Sequence, residues 1–280
     1  SGSYYGGLTW LGDNFRISYK NIGNFEKTGQ AWNGVVAGSG DLSLMDGTFG
    51  VHTGIKTYKD LYDRGLGKFN SLYEYLQTDN NGAFVKDAAG NYQTERFKMR
   101  DGSFWKKTTD NFYQNHNILS FLIHPAQHWS HNITIHYTYG YGYYSEFKRK
   151  AKLAKFGLQF TDNTGTQIVK TDLVRRKGLS QHTYGIIYNL NYKDESWDVM
   201  GGLNLQQFRG DHFGYLTYIK DQQVDNKFRP NGKDYKYYSS DARKFDYSGF
   251  FKANYHFSNY WNTFIDLQYR RVEYRTNGEN

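Results

Sequence analysis

The chain has no cysteine and only 2 prolines, and no apolar run approaches the roughly 18 residues of a membrane-spanning helix. The missing thiols exclude a disulfide framework and thiolate metal ligands, and leave the compartment open. There is no Gly-x-Ser-x-Gly elbow, no phosphate-binding P-loop and no His-Glu-x-x-His pair, so acyl transfer, nucleotide hydrolysis and zinc proteolysis lack support. The pattern points to no enzyme and no cofactor. A formal charge of +8 favours anionic surfaces or ligands, yet acids and bases are interspersed and no basic stripe carries a nucleic-acid motif. Ser1-Gly2-Ser3 shows no initiator Met and no signal-peptide pattern, and Thr276-Asn277-Gly278-Glu279-Asn280 is equally abrupt, so both ends read as cut.

What is abundant is aromatic and small: 27 Tyr, 20 Phe, 6 Trp and 30 Gly in 280 residues. These favour strands over helical bundles or disorder. The mean hydropathy of −0.83 suits water. In a transmembrane barrel that average misleads, because only alternate residues need be apolar.

Residues 129–144, WSHNITIHYTYGYGYY, set the reading of the rest. One alternate set is Ile133, Ile135, Tyr137, Tyr139, Tyr141 and Tyr143; the other is Thr134, His136, Thr138, Gly140, Gly142 and Tyr144. Side chains alternate across a strand, giving one apolar face and one small or polar face. The run exceeds the usual strand of about five or six residues and matches a tilted strand crossing a bilayer, with amphipathic aromatics at both ends. One face of a soluble sandwich or propeller fits this strand equally well.

Hairpins recur along the chain. Tyr5–Leu11 and Phe15–Ile22 join through Gly12-Asp13-Asn14, a turn-forming triplet. From Gly23 to about Asp110 alternation is lost, with short helices expected near Ile55–Tyr62 and Lys68–Leu76. Asn111 to Ile123 returns from Trp129 across His124–His128. A second irregular stretch, Ser145 to Gln181, carries Lys148, Arg149, Lys150, Lys152 and Lys155. Thr183–Tyr192 and Trp197–Phe208 join through Lys193–Ser196, with Tyr184, Ile186, Tyr188, Leu190, Tyr192, Trp197, Val199, Leu203 and Leu205 expected outward. A third long loop is expected from Arg209 to Phe245, before Tyr247–Phe257 and Trp261–Tyr274 close a last hairpin. Tight turns thus gather at one end and long loops at the other, the asymmetry of outer-membrane barrels. A propeller would repeat every 40 to 50 residues or so, and no such repeat is found.

The histidines at 124, 128 and 131 suggest metal spacing, but ligands at i and i+4 need a helix, and Pro125 in a strand-to-strand turn favours a solvated turn. The Lys148–Lys155 cluster and Arg175-Arg176-Lys177 suit phosphates or an anionic ligand, or simply water. Aromatics of the long loops, Trp32, Tyr58, Tyr62, Phe213, Tyr215 and Tyr218, offer contact area for a ligand or pack loop on loop. Among these, Trp32, Tyr58, Tyr62, Phe213 and Tyr215 are the ligand-binding candidates, with Arg209 and His212 as polar anchors.

Several segments together resemble one family. These are Gln30–Val35, Ile135–Tyr144 followed by Ser145–Lys148, Asp172–Lys177 with Tyr184-Gly185, Gly210–Gly214, and Tyr237–Lys244. They are similar to TonB-dependent outer-membrane transporters of the Bacteroidetes type, in the family's order and over nearly the whole chain. The resemblance implies a plug inside a barrel of about 22 strands, importing scarce nutrients such as ferric chelates (siderophores), haem or a corrinoid. It also implies an inner-membrane TonB complex, the lipid bilayer, a small-molecule nutrient and a surface lipoprotein as partners. Neither a TonB-contacting box, a plug nor an aromatic C-terminal residue is present, so residues 1–280 are expected to form a middle portion of the barrel. The expected fold is all-β: an antiparallel transmembrane β-barrel meander, part of a barrel, as an open sheet of about eight long strands with long extracellular loops. A small stand-alone barrel with an adhesive or enzymatic role and a soluble glycan-binding β-protein remain alternatives. Closure of the first strand on the last would mark the small barrel.

Overall fold

The computed structural model describes residues 1–29, 58–66, 68–70, 72–107 and 109–278. The strands are β1 (Gly2–Leu11), β2 (Phe15–Thr28), β3 (Glu74–Leu76), β4 (Thr94–Arg96), β5 (Thr109–Ala126), β6 (Trp129–Lys152), β7 (Lys170–Lys193), β8 (Trp197–Ile219), β9 (Tyr235–His256) and β10 (Asn262–Gly278). The helices are α1 (Tyr58–Asp63) and α2 (Gln222–Phe228), with single 3-10 turns at Leu153–Phe156 and Pro230–Gly232. No helix among the described residues is long and apolar enough to cross a membrane, which says nothing of crossing by strands.

Eight strands make one antiparallel sheet in the order β1-β2-β5-β6-β7-β8-β9-β10, and β3 pairs with β4 apart from it. Each strand lies beside its neighbour in the meander, as short turns dictate. The sheet is open: β1 and β10 are its two edges and do not pair. This is the outcome that sets a small closed barrel aside.

The strands are longer than expected. β6 and β7 run 24 residues each and β8 runs 23. Much of the stretches Ser145–Gln181 and Arg209–Phe245 is therefore strand, and the connections shrink to residues 153–169 and 220–234. The backbone ladder satisfies itself whether or not its side chains alternate. Near Lys68–Leu76 the described residues form no helix; turns lead into β3. Leu72 and Leu76 are buried there in helix-like spacing without a helix. α1 covers the second half of Ile55–Tyr62, whose first residues lie outside those described. The turn after β5 is also shorter, because His124, Pro125 and Ala126 belong to the strand. The last hairpin turns over residues 257–261, leaving Phe257 and Trp261 in the turn.

The register fixes the faces. Ile17, Phe121, Ile133, Tyr188 and Leu203 lie opposite one another in one row, and Tyr19, Leu119, Ile135, Ile186, Leu205 and Tyr247 in the next along β6, a row that ends in Arg271 on the edge strand β10. Phe15, Ile123, His131, Leu190, Gly201, Phe251 and Leu267 form another. Ile133, Ile135, Tyr137, Ile186, Tyr188, Ile265 and Leu267 thus share one face, as the alternation predicts. Much of this apolar face is uncovered, with Leu203 58% and Leu267 62% exposed. Toward the short turns it ends in aromatic pairs, Trp129 on Tyr192 at 4.8 Å and Trp197 on Tyr255 at 4.4 Å.

The opposite face is mostly polar and bonded across strands. Ser18, Ser120, Thr134, Asn204, Ser248 and Arg270 belong to one of its rows. Ser120 and Thr134 hydroxyls meet at 3.0 Å, and His116 Nδ1 lies 2.8 Å from Thr138 Oγ1. Arg270 Nε donates to Asp246 Oδ1 at 3.1 Å. Glycine here makes room for a large neighbour: a Cβ on Gly142 would sit 2.5 Å from the Phe112 ring and 2.8 Å from Asn111 O.

The core proper lies at the long-connection end. On the polar-face side, Leu153, Phe156, Leu158 and Phe160 pack with Leu173, Leu216, Ile219 and Val224. Asp221 caps α2 by accepting from Gln223 N and Val224 N at 3.0 Å each, which seats Val224 in that cluster. On the apolar-face side, Phe97 and Trp105 pack on Phe147 and Val174, with Phe97 and Phe147 stacked at 4.6 Å. A repeated turn shapes these segments. Asp79, Asp87 and Asp162 each start an Asp-x-x-Gly turn whose carboxylate accepts from backbone N–H groups two and four residues on. Leu76, Phe84 and Tyr92 consequently recur every eighth residue, and Leu76 and Tyr92 share a small core with Leu66. Gly165 holds φ 85° in the third turn. Gly165→Ala should cost about 1–2 kcal/mol, and faster proteolysis within residues 157–169 is the expected readout.

Candidate functional site

Two cavities flank the upper sheet. The larger, about 1140 Å³, lies on the apolar-face side between residues 99–107 and the ends of β6 and β7. Its Arg176 lies over the Tyr143 ring at 4.4 Å and 3.9 Å from Asp234. Arg100 ties the covering segment down, donating from Nε to Lys220 O at 2.8 Å and pairing with Asp225 at 3.2 Å. Arg100 and Arg176 are thus answered from within, while Lys27, Lys106 and Lys107 of the lining have no ion pair among the described residues.

The smaller cavity, about 730 Å³, opens on the polar face. Lys155 comes from the 3-10 turn, Arg175 and Lys177 from β7, His212 from β8, Tyr237 and Tyr238 from β9, and Tyr274 from β10. Period-two alternation puts Arg175 and Lys177 on this face and sends Arg176 to the other. Glu146 binds Arg175 and also Lys148, the latter at 2.6 Å. Among the described residues no carboxylate pairs with Lys155 or Lys177. Lys177 lies 5.6 Å from the centre of the Tyr238 ring, and burial, with Arg175 nearby, holds its ammonium below the usual lysine range. The Tyr237 hydroxyl is buried without a hydrogen-bond partner, and burial pushes the phenol up to about 12. A neutral donor, two lysines without an ion pair and aromatic walls, against one lining carboxylate, Asp241, together suit an anionic ligand with flat surfaces. No group of three or more His, Asp or Glu that could hold a metal ion occurs among the described residues. Two of the three clustered histidines have bonding partners instead, His128 Nδ1 at 2.8 Å from Lys193 O and His131 Nδ1 at 2.8 Å from the Tyr188 hydroxyl.

The sequence candidates separate. Arg209, His212, Phe213 and Tyr215 are not in a loop but in β8. His212 reaches the polar-face cavity, while Phe213 and Tyr215 face the other way, 5.6 Å apart, with Phe213 stacked on Tyr141. Arg209 lies nearer the apolar rows, 6.0 Å from the Tyr184 ring. Tyr62 is exposed on α1; Trp32 and the side chain of Tyr58 lie outside the described residues. Deleting Gly210–Tyr218 would remove half a strand, not a surface loop. Lys155 and Lys177 belong to the two basic runs that the sequence marks for an anionic ligand; that they meet Tyr237 and Tyr238 is not in the spacing, because the fold brings three separate elements together.

No family model matches the chain, and no curated protein matches it.

Proposed function

We propose that the chain is part of the wall of a transmembrane β-barrel, in a TonB-dependent outer-membrane transporter that imports an anionic nutrient. The observation that carries this reading is the two-faced sheet. Its exposed apolar face is bounded by aromatic pairs and backs onto a polar, cross-bonded face. In water so large an apolar surface is a liability; against lipid it is the expected outer wall. The free edges of β1 and β10 favour the same reading, since an unpaired edge is untenable in lipid and calls for further strands. The polar face then lines the interior, short turns face the periplasm, and the packed connections stand outside the cell. The cavity of Lys155, Lys177 and Tyr237 is the capture site on the interior side. Its charge fits a ferric chelate or haem carboxylates better than a neutral cargo.

The test uses the full-length protein in its host. Uptake of labelled haem, ferric citrate and cyanocobalamin is compared in wild-type, gene-deleted and K155Q/K177Q cells. Deletion should abolish uptake of one compound, and the double variant should need about tenfold more of it for half-maximal uptake, as expected for two lost charge-assisted bonds. Unchanged uptake of all three on deletion would refute this cargo class.

A further inference from the structure

Above the apolar rows, the same face carries Arg209, Arg243 and Arg275 directly opposite one another on β8, β9 and β10. All three are exposed. Among the described residues none has an ion pair or a side-chain hydrogen bond; only Arg209 has a ring contact, with Tyr184. Like charges directly opposite on a sheet are destabilising, so the row calls for a counter-anion. The nearest acids do not supply it. Asp211 and Asp241 face each other one row further up, and Glu273 pairs with Arg271 at 3.0 Å.

The height of this row is informative. Trp197 and Tyr255, with Thr263 beside them, form the row near the short turns, and each arginine stands twelve residues further along its strand (197 to 209, 255 to 243, 263 to 275). At about 3.3 Å per residue and a tilt near 40°, that is ~30 Å along the normal, against an apolar band ~25 Å tall. The arginines therefore stand just past the hydrocarbon, where headgroups begin. Two strand spacings of about 4.8 Å spread them over ~10 Å, and each guanidinium fork matches phosphate oxygens in a bidentate way.

We propose that Arg209, Arg243 and Arg275 form a binding site for phosphate groups of lipid headgroups in the outer leaflet. The site rests on the reading of the apolar face as the lipid-facing wall. It would anchor a phosphorylated glycolipid against the barrel beneath the folded connections.

The full-length protein in detergent is titrated with lipid A, with lipid A after enzymatic dephosphorylation, and with inorganic phosphate. Binding is followed by native mass spectrometry and by thermal shift. Lipid A should bind and raise the melting temperature, and the other two should not. R209Q/R243Q/R275Q should bind it about 150-fold more weakly, whereas K244Q, on the opposite face, should bind as wild type. If the triple variant does not fold, each single variant should lose about fivefold, on the same per-arginine scale. Equal affinity for dephosphorylated lipid, saturation by inorganic phosphate alone, or unchanged binding in the arginine variants would each overturn the site. Failure of the wall assignment is separable: it would show as equal insertion costs at Ile135 and Thr134, whatever the lipid result.

Discussion

Ile135→Arg should cost about 2–4 kcal/mol of folding stability in lipid, while Thr134→Arg, one residue away, should cost far less. The two positions differ only in face. Ile135 lies between Leu119 and Ile186 in the apolar row and is 46% exposed, so an arginine there must place its charge in hydrocarbon or distort the bilayer around it. Thr134 bonds to Ser120 on the face that would be hydrated. A cation there loses one neutral hydrogen bond, worth about 0.5–1.5 kcal/mol, and keeps its water. Denaturant titration of the full-length protein folded into vesicles measures both. Tyr184→Arg, near the end of the apolar rows, should cost about 0–1 kcal/mol, giving the depth dependence expected of a bilayer. A soluble sheet would show no such gradient, and equal costs at 134 and 135 would defeat the membrane assignment.

The apolar rows were readable because every second residue had to satisfy the same surroundings. Along β7, Tyr184, Ile186, Tyr188, Leu190 and Tyr192 announce a strand by themselves. Above them, Arg175 to Thr183 shows no clean alternation, yet the strand continues, held by pairing to β6 and β8. Side-chain pattern reports the environment of a strand, whereas its length is set by backbone bonds to neighbours. That is why the sequence pattern places Arg209 to Tyr215 in a loop: alternation fades after Phe208 while the ladder runs on to Ile219. The Asp-x-x-Gly turns at 79, 87 and 162 mark where the long connections fold back on themselves, and the sequence reading shows only lost alternation there. Their cores escape it as well, because Leu158 and Leu173, neighbours in one cluster, are joined only through tertiary packing.

Leu216→Ala should have the largest effect outside the apolar rows, about 2–5 kcal/mol, felt in the connections and not in the wall. Leu216 is fully buried, stands opposite Arg175 in the ladder and packs among Leu153, Phe156 and Ile219. Truncation leaves a void where the 3-10 turn of Leu153–Phe156 sits, and that turn delivers Lys155 to the cavity. Leu205→Ala is the comparison. At 49% exposure on the uncovered face it leaves no cavity, so its cost should stay below that of Leu216→Ala. Hydrogen exchange should show faster opening of residues 153–169 in the Leu216 variant, with protection of β6 and β7 between Tyr137 and Tyr188 unchanged. If the cavity is the capture site, ligand affinity should fall along with that protection, although Leu216 is a packing residue and not itself a polar anchor. Faster opening with affinity intact would mean that Arg175 and Lys177 on the rigid strand suffice without Lys155. An unchanged exchange pattern would show that the packed connection does not depend on this core.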